Sequence, residues 1–144
     1  MKTVIKSIVF ATIFGLINTI TFAQNKYNVT VKIDGIRERS GKIYATITND
    51  ANAFLAAPGV KNAEVEVSKE GDIFLKFEGL LEGKYAISLY QDLNANKQMD
   101  FNGQMPTEPF GFSNVTMLMG PPNFETCAFD LNENKVIAVS LMSF

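Results

Sequence analysis

Short segments in which apolar and polar residues alternate constrain the fold of this chain more than any other feature. Val29, Val31 and Ile33, for example, alternate with Thr30 and Lys32. Successive side chains of a strand point to opposite faces, so this alternation predicts strands with one buried face. Seven such segments occur, separated by turns, and no convincing helical spacing follows the first 23 residues. The sequence predicts an all-β fold, a seven-stranded antiparallel sandwich of immunoglobulin-like or transthyretin-like type.

Residues 91–123 interrupt this rhythm, because prolines and glycines in this stretch disfavour regular structure. Loops longer than about 15 residues are usually functional or disordered. The stretch is too apolar for a disordered tail, so we expect one long Pro/Gly-rich loop that folds back over an end or edge of the sandwich. Four of its residues are candidates for binding a ligand: Phe101, Phe110, Phe112 and Met117. The alternative is that these side chains only pack the loop onto the domain.

Residues 1–23 have the three-part build of a secretory signal peptide. Lys2 and Lys6 precede an apolar run, and Thr21 and Ala23 place small side chains before a cleavage point. The alternative is a retained membrane anchor, but Asn18 interrupts the apolar run, which is short for a span of about 20 residues. The sequence predicts a signal peptide over residues 1–23, one β-sandwich domain over residues 24–144, a periplasmic or secreted location, and no membrane span after cleavage.

The composition excludes several kinds of chemistry. The chain contains no His, which excludes a Ser-His-Asp triad, a Cys-His pair and a His-ligated zinc site. Its single Cys, Cys127, cannot form an internal disulfide, and we expect it to be a buried, inert strand residue. A net charge of −2 argues against nucleic acid as a partner. No arrangement of carboxylates or lysines suggests a catalytic pair, so we predict that the protein is not an enzyme.

A segment rich in oxygen side chains follows the fifth predicted strand and suggests calcium as a cofactor. Oxygen ligands at alternate positions let a tightly curled chain aim them at one hard cation. Lys97 and Gly103 depart from the EF-hand pattern, which has Gly at position 6 and Glu at position 12. The alternative is a turn whose Asn and Asp side chains cap their own backbone. The predicted metal ligands are Asp92, Asn94, Asn96, Gln98 through its carbonyl, Asp100 and Glu108.

Four segments of the chain together resemble the DUF2141 family, a bacterial family of exported domains of unknown function. They are FEGLLEGKYAI (residues 77–87), DLNAN with Asp100 (residues 92–100), PTEPFGFSN (residues 106–114) and GPPNF (residues 120–124). The resemblance implies a β-sandwich, export and no established activity. The chain departs from the family pattern at Gln91, where His is common, and at Lys97, where Gly is common.

Two functions are consistent with these observations. The first is an exported, non-enzymatic β-sandwich protein with a weak calcium-binding loop. The second is an envelope protein that binds a small apolar or carbohydrate ligand through the aromatic residues of its long loop. In either case the expected partner is a small ligand or another envelope protein.

Overall fold

The structure is a computed structural model that describes residues 24–56 and 58–144. The predicted signal peptide, residues 1–23, lies outside the described residues. Within them the chain forms ten strands and one short helix. These elements are β1 (Lys26–Asp34), β2 (Lys42–Thr48), β3 (Lys61–Glu66), β4 (Ile73–Leu81), β5 (Gly83–Asp92), β6 (Phe101–Asn102), β7 (Met105–Pro106), β8 (Phe110–Phe112), α1 (Phe124–Cys127), β9 (Phe129–Leu131) and β10 (Lys135–Ser140).

The strands form two main sheets and one small hairpin. One sheet has three strands in the order β10-β1-β4, and the other has five, in the order β3-β2-β5-β8 with β9 also paired to β5. Strands β6 and β7 form the hairpin. The all-β prediction is confirmed, but the expectation of purely antiparallel pairing is wrong at one place. Strand β1 pairs with β10 in parallel, with Val29 opposite Lys135 and Asp34 opposite Ser140.

The predicted alternation corresponds to the observed burial. In β1, Val29, Val31 and Ile33 are buried while Thr30 and Lys32 are only half-buried. The inward residues of β1, β4 and β10 join those of β2, β5 and β9 in one hydrophobic cluster. Burial of this apolar surface is the main favourable term in folding. Each sheet thus has one face in a shared core, which is why period-two alternation could be read from the sequence.

The long segment from residue 91 to 123 is more regular than its prolines and glycines predict, because it contains β6, β7 and β8. Strand β8 pairs with the edge of β5, placing Gly111 opposite Leu89. A side chain at Gly111 would collide with β10, since its Cβ would lie 2.6 Å from the Ser140 carbonyl oxygen. The segment therefore folds back over a strand edge, as expected, but does so as an added strand.

A second hydrophobic cluster lies on the other face of the five-stranded sheet. It contains Phe110 and Phe112 of β8, Phe124 and Cys127 of α1, and Ala86 of β5. Cys127 is buried as predicted, but it ends α1 and does not lie on a strand. In the part of the chain that the structure describes, no helix is long and apolar enough to cross a membrane.

Buried hydrogen bonds fix this second cluster to the sheet. The Ser113 hydroxyl is fully buried, accepts the Ile87 N–H at 2.9 Å and donates to the Cys127 carbonyl oxygen at 2.6 Å. The Ser113 N–H also donates to the Ile87 carbonyl oxygen at 3.0 Å. One residue therefore joins the long segment, β5 and α1.

Candidate functional site

A cleft of about 840 Å³ opens on the face of the five-stranded sheet that is turned away from the shared core. This volume lies within the range of about 300–1,000 Å³ that is usual for small-molecule sites. Strands β2, β5 and β8 form its floor, and the β6–β7 hairpin and residues 118–122 contribute to its walls. The long segment thus encloses a concave surface that a bare sheet would not have.

Aromatic rings dominate the floor of the cleft. Tyr44 of β2 and Tyr90 of β5 are paired across the sheet and stack with ring centroids 5.5 Å apart. Phe110 and Phe112 meet edge to face at 5.8 Å. Phe144 packs against Phe110 at 5.6 Å. Aromatic pairs at these separations stabilise each other beyond the burial of their apolar surface.

Three of the four predicted ligand-binding residues line this cleft: Phe101, Phe110 and Phe112. Phe101 is 58% exposed and belongs to the hairpin, whereas Phe110 and Phe112 are buried in the floor. The fourth, Met117, is 72% exposed and lies outside the lining. The structure therefore gathers most of this predicted set at one place.

Sequence reasoning missed the two tyrosines of the floor. Tyr44 alternates with buried residues of β2 and Tyr90 with buried residues of β5, so the strand pattern alone places both on the outward face of the sheet. A large aromatic side chain at the outward position of each of two strands was the available signal. Because the long segment covers that face, the outward positions line a cleft.

The acidic loop, defined as residues 92–100, lies immediately before the hairpin of the cleft. Asp92 at the end of β5 is 2% exposed, and its Oδ2 accepts the Lys97 N–H at 2.8 Å. Asp92 Oδ1 is buried and accepts no hydrogen bond from the described residues. Lys97 has a positive φ of 61°, the left-handed conformation usually taken by glycine.

Most side-chain polar atoms of Asn94, Asn96 and Asp100 already form hydrogen bonds within the acidic loop. The Asn94 amide nitrogen donates to Asp100 Oδ2 at 2.6 Å, and the Asn96 amide nitrogen donates to both Asp100 oxygens. The oxygens of Asn94 and Asn96 accept the backbone N–H groups of Asn96 and Gln98. These bonds form the turn that was the alternative to a calcium site.

Glu108 connects the acidic loop to the segment that follows the hairpin. It is 4% exposed, and its two carboxylate oxygens accept the N–H groups of Leu93 and Asp100 at 2.9 and 3.3 Å. Within the described ranges, no three side chains of the His, Cys, Asp or Glu types are placed to hold a metal together. Asp92 Oδ1 is the one buried oxygen of the acidic loop that has no hydrogen-bond partner among the described residues.

Burial raises the pKa of the Tyr90 phenol, and the negative charge of nearby Asp92 raises it further. Asp100 and Glu108 act in the same direction. Tyr90 therefore stays neutral and keeps its O–H as a donor at physiological pH. This tyrosine connects the two parts of the site, since it lines the cleft and its pKa is raised by the charge of the acidic loop.

Comparison with known proteins agrees with the resemblance read from the sequence. No match was found among curated proteins or among solved structures. The family model described as an uncharacterized protein conserved in bacteria (DUF2141) matches residues 31–138. This match begins within β1 and ends within β10, so it includes the cleft floor and the acidic loop, and the chain belongs to the DUF2141 family.

Proposed function

We propose that this protein is a binding protein for a small, neutral, largely apolar molecule, held in the aromatic cleft. The observation that carries the proposal is the cleft itself, an 840 Å³ concavity with Tyr44, Tyr90, Phe110 and Phe112 in its floor. Binding sites for small molecules are typically apolar concavities with a few polar groups that fix orientation. Nothing in this arrangement suggests catalysis, and we propose a non-enzymatic role.

The lining of the cleft favours a neutral ligand. No Asp, Glu, Lys or Arg occurs among the described residues that line the cleft. A charged ligand would lose hydration there without gaining an ion pair, which is strongly unfavourable. The side-chain polar groups of the lining are hydroxyls and one amide, from Tyr44, Thr46, Thr48, Ser88, Tyr90 and Gln104. We therefore infer an apolar body that carries one or two hydroxyl or carbonyl groups.

We also propose that the protein acts outside the cytoplasm, as a periplasmic or secreted protein. The support is the signal-peptide pattern of residues 1–23. A binding protein in that compartment would meet apolar molecules released from the envelope or taken up from outside. The two packed sheets are then best described as a β-sandwich whose outer face carries the binding site.

A neutral fluorescent probe tests the proposal. N-phenyl-1-naphthylamine should bind with a rise in fluorescence, and a medium-chain alcohol should displace it more effectively than the matching carboxylate. Phe101→Ala removes an exposed ring from the cleft wall, so it should weaken probe binding without unfolding the protein. Phe74→Ala is the matched control, because Phe74 is 48% exposed on β4 of the other sheet.

Three results would contradict the proposal. Absence of probe binding would exclude an apolar site, and equal loss in the Phe101 and Phe74 variants would place the site elsewhere. Displacement by an oligosaccharide but not by the alcohol would favour a carbohydrate ligand on the same aromatic floor.

A further inference from the structure

The acidic loop concentrates negative charge that no side chain of the described residues neutralises. Asp92 and Glu108 are almost fully buried. Among residues 24–56 and 58–144, neither of them, nor Asp100, forms an ion pair with Lys or Arg. Buried charges in proteins are normally paired or coordinate a metal ion. The unpaired charge of this loop therefore points to a cation, and it does so independently of the spacing of the oxygen side chains in the sequence.

One atom identifies where a cation would make contact. The bond from the Lys97 N–H to Asp92 Oδ2 holds the carboxylate against the inside of the loop. The second oxygen, Oδ1, is buried and has no donor among the described residues. A buried acceptor without a partner is unfavourable, and more so when it is charged. A cation in contact with Oδ1 would remove that penalty.

We propose that the acidic loop binds a calcium ion through Asp92 and Asp100 as charged ligands. The Asp100 carboxylate already faces the side-chain amides of Asn94 and Asn96. The side-chain oxygens of Asn94 and Asn96 each accept one backbone N–H, and each keeps a second lone pair that can bind the ion. The backbone carbonyl of Gln98 completes the oxygen set. Glu108 braces the loop from outside this set, because both of its oxygens accept backbone N–H groups.

The donor set favours calcium over other metals. All donors are oxygens and the loop offers no His or Cys, the ligands that most favour zinc and copper. Calcium accepts six to eight oxygens in irregular geometry, whereas magnesium requires a near-ideal octahedron. The left-handed backbone at Lys97, the sixth residue of the loop, provides the sharp turn that a calcium loop needs at that position.

Titration calorimetry of the purified protein with calcium and with magnesium tests the proposal. With two carboxylates and neutral amides, we expect a calcium dissociation constant of about 10⁻⁴–10⁻³ M, and weaker magnesium binding. Asp92→Asn and Asp100→Asn should each weaken calcium binding by at least about tenfold, as loss of a ligand should exceed loss of its supporting bonds. Asp130→Asn is the matched control, because Asp130 is exposed on β9.

Terbium luminescence provides a second measurement of binding that does not rely on the heat released in calorimetry. This ion replaces calcium in oxygen sites, and its emission is sensitised by a nearby tyrosine. We expect emission through Tyr90, which Tyr90→Phe should reduce. Lys97→Gly should tighten calcium binding, because it removes a positive charge and suits the left-handed backbone.

The outcomes separate the proposal from a bare turn. Absence of calcium binding at millimolar concentration would overturn it, as would wild-type affinity in folded Asp92→Asn. An equal loss in Asp130→Asn would show nonspecific attraction to an acidic surface and would also overturn it. Circular dichroism confirms that each variant is folded, and if Asp92→Asn fails to fold, Asp100→Asn decides the question alone.

Discussion

Replacing Gly41 with alanine should destabilise the protein by an amount that can be derived from its surroundings. Gly41 follows the turn before β2 and has φ of 73°, a conformation that is unfavourable by about 1–2 kcal/mol for residues with a Cβ. An added Cβ would lie 3.0 Å from the Asp92 carbonyl carbon, 3.3 Å from the Leu93 Cα, and well inside van der Waals contact of the Asp92 carbonyl oxygen. All three atoms belong to the backbone, so no side chain can turn aside to relieve the overlap.

The expected loss is the sum of a conformational and a steric contribution. Alanine restricts the unfolded chain, which offsets about 0.4–1 kcal/mol of the conformational penalty. Overpacking against a rigid neighbour adds about 1–3 kcal/mol. The total is about 2–4 kcal/mol, and for a domain of this size each kcal/mol lowers Tm by roughly 3–5 °C.

Gly71→Ala isolates the conformational contribution. Gly71 has φ of 81°, but an added Cβ there would meet no atom within 4 Å. The free energy of unfolding of this control should fall by only about 0.5–1 kcal/mol, because its backbone is strained but its Cβ meets no other atom. Urea denaturation of both variants, fitted with the same dependence of the free energy of unfolding on urea concentration, gives the difference between their stabilities. If Gly41→Ala loses no more free energy of unfolding than Gly71→Ala, Gly41 does not lie against the Asp92 backbone as the structure describes.

Three other predictions concern buried groups. Ser113→Ala should lower the free energy of unfolding by about 1–3 kcal/mol, because it leaves the buried Ile87 N–H without its side-chain acceptor. Urea denaturation should show a much smaller loss for Ser143→Ala, at an exposed position. Equal losses in the two variants would contradict the prediction. Burial raises the pKa of the Cys127 thiol, so a disulfide reagent should label it only as the protein unfolds, and complete labelling of the native protein would refute its burial. The raised pKa of Tyr90 stabilises the fold below the unfolded tyrosine value of about 10, and this contribution is lost as pH rises through the folded value. Thermal unfolding should therefore show a smaller alkaline decrease in Tm for Tyr90→Phe than for the wild type, and identical decreases would contradict the assignment.

The strands could be predicted from the sequence because each has one buried face, but their partners could not. Alternation specifies which side chains point inward, as for Ile43, Ala45 and Ile47 of β2, and carries no information on the direction of the neighbouring strand. The parallel pairing of β1 with β10 depends on contacts between residues about a hundred positions apart. It could only be seen in the structure.

Only part of the candidate site could be predicted, because the rest also depends on contacts between distant segments. Phe101, Phe110 and Phe112 were identified because they are aromatic residues in a long irregular segment. Tyr44 and Tyr90 were missed because their strands assign them to an outward face, and only the folded segment converts that face into a cleft. The burial of Asp92 and Glu108 was likewise not visible, because carboxylates are usually exposed and the local pattern gives no sign of a covering segment.

The parallel pairing of β1 with β10 determines how the domain should respond to mechanical force. In a parallel pair the start of one strand and the end of the other lie at opposite ends of the ladder. Tension applied between Lys26 and Ser140 would therefore pull the two strands past each other along their length. The six residue pairs from Val29 with Lys135 to Asp34 with Ser140 would bear the load together. An antiparallel hairpin pulled from its open end yields one pair at a time, so this domain should resist stretching between these points more strongly than a hairpin resists unzipping.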